Sequence, residues 1–183
     1  MLSVVVITAC GTSSPPAPAP PPPAPSAAPT PQASADDLSA LLIQPSDVQI
    51  PGLSRQGVQQ VGEGTLRGVA TFFSTEDGTR QLGETIILLP DPEAARSAVQ
   101  GAASMTQQQR PGATMSAVPV GEGAVLFTGF EHEGTASTLL LFNQGVASVA
   151  MDFRGPAGDP VPPDVATTAG ARQAALLASG LPR

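Results

Sequence analysis

The chain has 183 residues, with 15 acidic against 8 basic side chains and a formal net charge of −7. That balance leaves no basic face to neutralise a phosphate backbone, so nucleic acid is not an expected partner, and it removes polybasic attraction to anionic lipid. A single cysteine cannot close an intrachain disulfide, and no stretch reaches the roughly 18–20 apolar residues of a membrane-spanning helix.

Residues 1–9 form a short apolar run that reads as a truncated export signal, its basic beginning missing. The run ends at Ile7-Thr8-Ala9-Cys10, which resembles the lipobox of bacterial lipoproteins, where the cysteine is lipidated and becomes the mature N-terminus. The resemblance implies lipidation of Cys10, attachment to the membrane through its acyl chains, and an address on the extracytoplasmic face of the cell membrane. The other reading of Cys10 is an ordinary packed thiol. From Pro15 to Pro31 there are ten prolines among Ala, Ser and Thr. Such a tract lacks backbone donors and favours an extended, disordered spacer, so residues 10–34 are expected to be a Pro/Ala-rich linker.

A single domain is expected over residues 35–183. Ser34-Ala35-Asp36-Asp37 fits a capping box ahead of Leu38, Leu41 and Leu42, predicting a short opening helix. An irregular stretch should run from Pro45 to about Gly64, with Val48, Ile50 and Leu53 pinning it to the core. Strands are predicted at 67–74 and 81–89 around the turn Glu76-Asp77-Gly78. Ile86-Ile87-Leu88-Leu89 is apolar on both parities, so the second strand should be covered on both faces. Asp91 and Pro92 predict a helix start, with Ala95, Ala98, Val99 and Ala102 on the buried face, and the polar loop Gln107–Gly112 ends that helix.

Further strands are predicted at 114–120, 124–130, 135–142 and 146–153, joined by short turns that suit antiparallel neighbours, with Pro119 marking the first as an edge. The loop 155–163 leads to a last helix capped by Asp164, with Ala169, Leu176 and Leu177 inward. All six phenylalanines fall in predicted strands, as core residues would. The expected fold class is α+β: an antiparallel sheet of about five to six strands with helices packed on it.

The search for chemistry finds no G-x-S-x-G elbow, C-x-x-C or H-E-x-x-H, and a chain without lysine has no P-loop. Gly52-Leu53-Ser54-Arg55-Gln56-Gly57 has one residue too many after its serine, and Gly62, Gly64 and Gly68 miss dinucleotide spacing; all read as loop glycines. His132, between Glu131 and Glu133, is better explained by a solvated turn than by a metal site, since neighbours on a strand point to opposite faces. Glu84 stands alone among apolar residues, and an exposed or edge position is expected because unpaired glutamate is seldom buried. No catalytic, cofactor-binding or metal residue is expected, and no cofactor.

The eight basic residues are all arginine; lysine codons are A-rich, so their absence points to a GC-rich, actinobacterial genome. Leu38 through Leu42 with Pro45-Ser46-Asp47, Ala70-Thr71-Phe72 to Asp77-Gly78, Ile86 to Ala95, and the strands around Asn143-Gln144-Gly145 together resemble small mycobacterial secreted lipoproteins of the LpqN type and the extracellular sensor domains of mycobacterial serine/threonine kinases. Both are α+β sandwiches, and the kinase domains carry disulfides that this domain lacks. With the apolar sheet and its small-residue helices, the leading expectation is a membrane-anchored cell-envelope lipoprotein acting as a non-catalytic binding module for an apolar envelope ligand or a protein partner. An envelope hydrolase and a structural adaptor are the competing classes. A lipid-binding reading further expects small-residue helices to leave a gap above the sheet.

Overall fold

The computed structural model describes residues 38–63 and 66–181. The signal, Cys10, the linker and the capping box expected at Ser34-Ala35-Asp36-Asp37 lie outside the described residues.

Seven strands form one sheet: β1 (Ser54–Val61), β2 (Arg67–Ser74), β3 (Gln81–Leu88), β4 (Thr114–Ala117), β5 (Glu122–His132), β6 (Thr135–Gln144) and β7 (Ala147–Pro156). Their order is β1-β2-β3-β7-β6-β5-β4 and every pairing is antiparallel. Two meanders, β1 to β3 and β4 to β7, therefore meet at a β3–β7 seam. Helix α1 (Pro92–Gln109) carries the chain from β3 to the far edge, and α2 (Pro163–Gly180) follows β7.

The α+β sandwich is as expected, with one strand more than the upper expectation. The extra strand is β1, placed in what reads as an irregular stretch. Its sequence Ser-Arg-Gln-Gly-Val-Gln-Gln-Val has no apolar alternation because it is an edge strand, mostly exposed and supported only by β2.

The inner face of the sheet carries the main core. Over β5 to β7 it is covered by α2, whose Ala166, Ala169, Gly170, Gln173, Ala174 and Leu177 are buried. Leu176 is only partly buried. A Cβ at Gly170 would collide with the side chain of Leu140, so α2 sits directly on the sheet and the expected gap is not formed there. Over β1 to β3 the same face is covered by the segment from Leu38 to Leu53, which packs Leu42, Ile43, Val48 and Leu53 against Val69, Phe73, Leu82 and Ile86. Val48, Ile50 and Leu53 thus pin the segment as expected.

The outer face is covered over β5 to β7 by α1, through Val99 and Ala103 against Phe127, Leu139 and Leu141. Asp91 caps this helix as expected, accepting from the Ala94 N–H at 2.8 Å. Ala95 and Val99 are buried and Ala98 half-buried as expected, Ala103 is half-buried in place of the expected Ala102, which is exposed, and the helix runs on through Gln109 before Arg110 closes it. No described helix covers the outer face of β1 to β3. The strand covered on both faces is therefore β6, in which eight of ten residues are buried, and not β3, where Leu82, Glu84 and Ile86 are buried but Gly83, Thr85 and Ile87 are half-exposed.

Candidate functional site

Three arrangements bring functional side chains together. The first is a cleft of about 680 Å³ at one end of the sheet. Three segments frame it, each shaped locally by its sequence. Pro51-Gly52 turns the N-terminal segment, with Gly52 at φ 74°. The β2–β3 hairpin turns through Asp77, whose carboxylate accepts from Thr75 Oγ1 (2.6 Å), Thr79 Oγ1 (2.9 Å) and the Thr79 N–H (3.1 Å). These bonds, that from Thr75 first, hold the Asp77 carboxyl below its ordinary value. The third wall is the β7–α2 loop. Pro162 precedes the first turn of α2 without a side-chain cap, and Asp164 lies within that turn, next to the helix dipole, instead of capping it as expected.

The floor of this cleft is apolar, from Ile50, Val161 and Val165, and its rim is polar, from Thr75, Asp77 and Arg80. Arg80 pairs with the Asp159 carboxylate and also donates from Nη1 to the Asp159 carbonyl oxygen at 2.7 Å. That contact ties the hairpin to the β7–α2 loop. Thr138 Oγ1 donates to the Val161 carbonyl (2.8 Å), fixing the same loop to β6 from beneath.

The second arrangement is a polar cluster inside the core. Gln173 of α2 accepts from the Ile43 N–H (3.0 Å) and donates to the Leu41 carbonyl (2.9 Å), holding the N-terminal segment as a neighbouring strand would. Arg55 donates from Nη2 to the Ile43 carbonyl (2.5 Å) and lies over the Phe73 ring at 5.3 Å. Beneath them is Glu84, 1% exposed, flanked across the strands by Thr71 and Met151. The expectation of an exposed Glu84 is therefore overturned. Inner-face parity with Leu82 and Ile86 puts its side chain in the core whatever its polarity. Neither carboxyl oxygen has a hydrogen-bond partner among the described residues, and Arg55 Nε is also unpartnered. Burial pushes the Glu84 carboxyl up to about 8, against the opposing pull of the Arg55 guanidinium and the Ile43 amide dipole. The Ile43 N–H itself is engaged by Gln173.

The third arrangement lies on the outer face beyond the end of α1, in a small cleft of about 230 Å³. Ser137 donates to Asp152 Oδ1 (2.5 Å), Arg154 Nε donates to Asp152 Oδ2 (2.8 Å), and Arg110 Nη1 donates to Ser137 Oγ (3.3 Å). Arg110 lies 4.4 Å from the centre of the Phe130 ring. This network closes the C-terminal end of α1 onto the sheet, where a cation also suits the helix dipole.

His132 lies at the edge of that cleft with its side chain 71% exposed, its Nε2 3.7 Å from Glu133 Oε1 and its ring stacked on Phe130 at 6.3 Å. Glu131 points elsewhere, accepting from the Gly158 N–H (2.8 Å). The three neighbours do not converge, which is the solvated-turn arrangement expected. Gly52 occupies a turn as expected, but Gly57 lies inside β1, at a bulge. Of the six phenylalanines, Phe73, Phe127, Phe142 and Phe153 are buried, whereas Phe130 is half-buried and Phe72 is 40% exposed. Phe72 and Phe73 are adjacent on a strand, so one must face outward.

The fold is that of an antiparallel α+β sandwich with a surface cleft at one end. A solved structure shares it: the extracellular domain of PknH from Mycobacterium tuberculosis superposes with a TM-score of 0.60 at 12% identity, covering 78% of this chain and 96% of that one. No protein-family model matches the sequence, and no curated protein matches it.

Proposed function

We propose that this protein is an extracytoplasmic binding module, anchored through acyl chains on Cys10, that captures its ligand in the cleft between the N-terminal segment, the β2–β3 hairpin and the β7–α2 loop. The cleft carries this reading. It joins an apolar floor of Ile50, Val161 and Val165 to a rim of hydrogen-bonding groups and one fixed ion pair, the composition of a pre-formed ligand site. The shared fold with the extracellular domain of PknH supports an outward-facing role, and the described residues contain no helix long and apolar enough to cross a membrane. The LpqN-type lipoprotein half of the resemblance rests on sequence alone. An apolar ligand meets its floor at the surface of the domain, since α2 packs directly on the sheet.

The test is mass spectrometry of the full-length protein purified from its native membrane, beside an Ile50→Trp variant whose indole fills the cleft. A molecule that co-purifies with the parent and not with the variant is the expected result; the same molecule on both proteins removes the cleft from the account. Metabolic labelling with a palmitate analogue tests the anchor. Label on the parent and none on Cys10→Ala is expected.

A further inference from the structure

Phe72 is exposed on the part of the sheet that no described helix covers. The residues opposite it are Gly57 on β1 and Gly83 on β3, and there is open space where a Cβ at either position would stand. No side chain directly opposite it on either neighbouring strand therefore stands against its ring, although aromatic residues on sheets are ordinarily packed by such partners. Gly57 is fixed at its bulge by Thr71 Oγ1, which donates to its carbonyl at 2.7 Å. Grooves of about 800 and 380 Å³ run away from Phe72 along the strands, one past Ser54 and Ser74, the other past Gln59 and Ala70, with Gln56 lining both. The larger groove shares Gly52, Thr75 and Glu76 with the end cleft, so the two surfaces are continuous.

The charge of this surface selects among occupants. The chain has 15 acidic and 8 basic residues, yet among the described residues Glu76 is the only charged side chain lining either groove. A phosphorylated or otherwise anionic ligand finds no counter-ion there, and a strongly cationic one finds a single carboxylate. A peptide added to the free edge of β1 would use backbone groups and make no demand on the Phe72 ring. A neutral sugar chain matches both features: the weakly positive C–H face of a pyranose suits the negative face of an aromatic ring, and its hydroxyls suit amide and hydroxyl side chains that can both donate and accept.

We propose that the outer face of β1 to β3 binds a neutral oligosaccharide, with Phe72 as the stacking platform and Gln56, Gln59, Ser54 and Ser74 as hydroxyl partners. The site rests on the binding-module reading for its purpose and on a different surface for its evidence. Titration calorimetry of the full chain with linear tetrasaccharides of glucose, N-acetylglucosamine and mannose tests it. At least one should bind, with affinity about tenfold weaker or lost in Phe72→Ala and retained in Phe72→Tyr, which keeps the ring. Circular dichroism should show Phe72→Ala folded, because the side chain is exposed. Binding by none of the panel, binding that survives Phe72→Ala, or binding of an extended peptide in place of any saccharide overturns the proposal. Ile50→Trp separates the two readings. If it abolishes saccharide binding while Phe72→Ala does not, the sugar belongs in the end cleft and the sheet-face site is wrong.

Discussion

The two halves of the sheet are built from similar strands and treated differently. β5 to β7 are enclosed between α1 and α2, and β6 is apolar on both parities because both of its faces are core. Among the described residues, β1 to β3 have only one face covered, and that cover is an irregular segment instead of an α-helix. The enclosed half supplies stability, and the one-sided half is free to present groups outward, Phe72 on its open face and the hairpin at its end, while it buries Glu84 under its cover. Function in this domain is read from where packing stops.

The largest expected effect is on the cover of the one-sided half. Glu84 has its carboxyl raised to about 8 in the fold from an ordinary value of 4.5. A raised carboxyl binds its proton more tightly when folded, so this contribution to stability is full below pH 4.5 and is lost as pH rises through about 8. The loss is on the order of 4 kcal/mol across that window. Denaturant melts of the parent from pH 4.5 to 8.5 should show the decline, and Glu84→Gln should flatten it and be the more stable protein at the upper end. A melt whose pH slope is unchanged by the substitution breaks the assignment.

Next comes the enclosed half. Phe142→Ala, in β6 against the α2 side of the core, should cost about 4 kcal/mol through lost burial and the cavity left behind, read as a lower denaturant midpoint. Gln173→Ala removes both hydrogen bonds to the Leu41 and Ile43 backbone and leaves that buried amide and carbonyl without those partners, costing about 2 kcal/mol. It should also raise hydrogen exchange at the Ile43 amide more than in the sheet. The smallest effect is expected at Phe72→Ala, within about 0.5 kcal/mol. Comparable losses at Phe142 and Phe72 would erase the distinction between the halves.

Much of this was legible in the chain. The Asp91-Pro92 start of α1, the Asp-Gly hairpin, the order of strands after Thr114 and the pinning role of Val48, Ile50 and Leu53 all follow from local chemistry. What escaped depends on non-local cover. The runs Ile86-Ile87-Leu88-Leu89 and Leu139-Leu140-Leu141-Phe142 look alike, but only the second lies beneath a helix on each side, and nothing within either run says where α1 will land. β1 hid because an edge strand needs no hydrophobic alternation. Glu84 followed the parity of its strand against the preference of its side chain. For the candidate site, the Asp77 turn was visible as a turn only; its meeting with Val161, and that of Arg80 with Asp159, required the chain to fold back across some eighty residues.

The clasp of Gln173 on the N-terminal segment has a mechanical consequence. Leu41 also packs against Gly180, at the end of α2, where an added Cβ would strike it. The first described residues are thus fastened to the last helix of the chain. A pull applied at Leu41 reaches that helix and the main core directly, through these contacts.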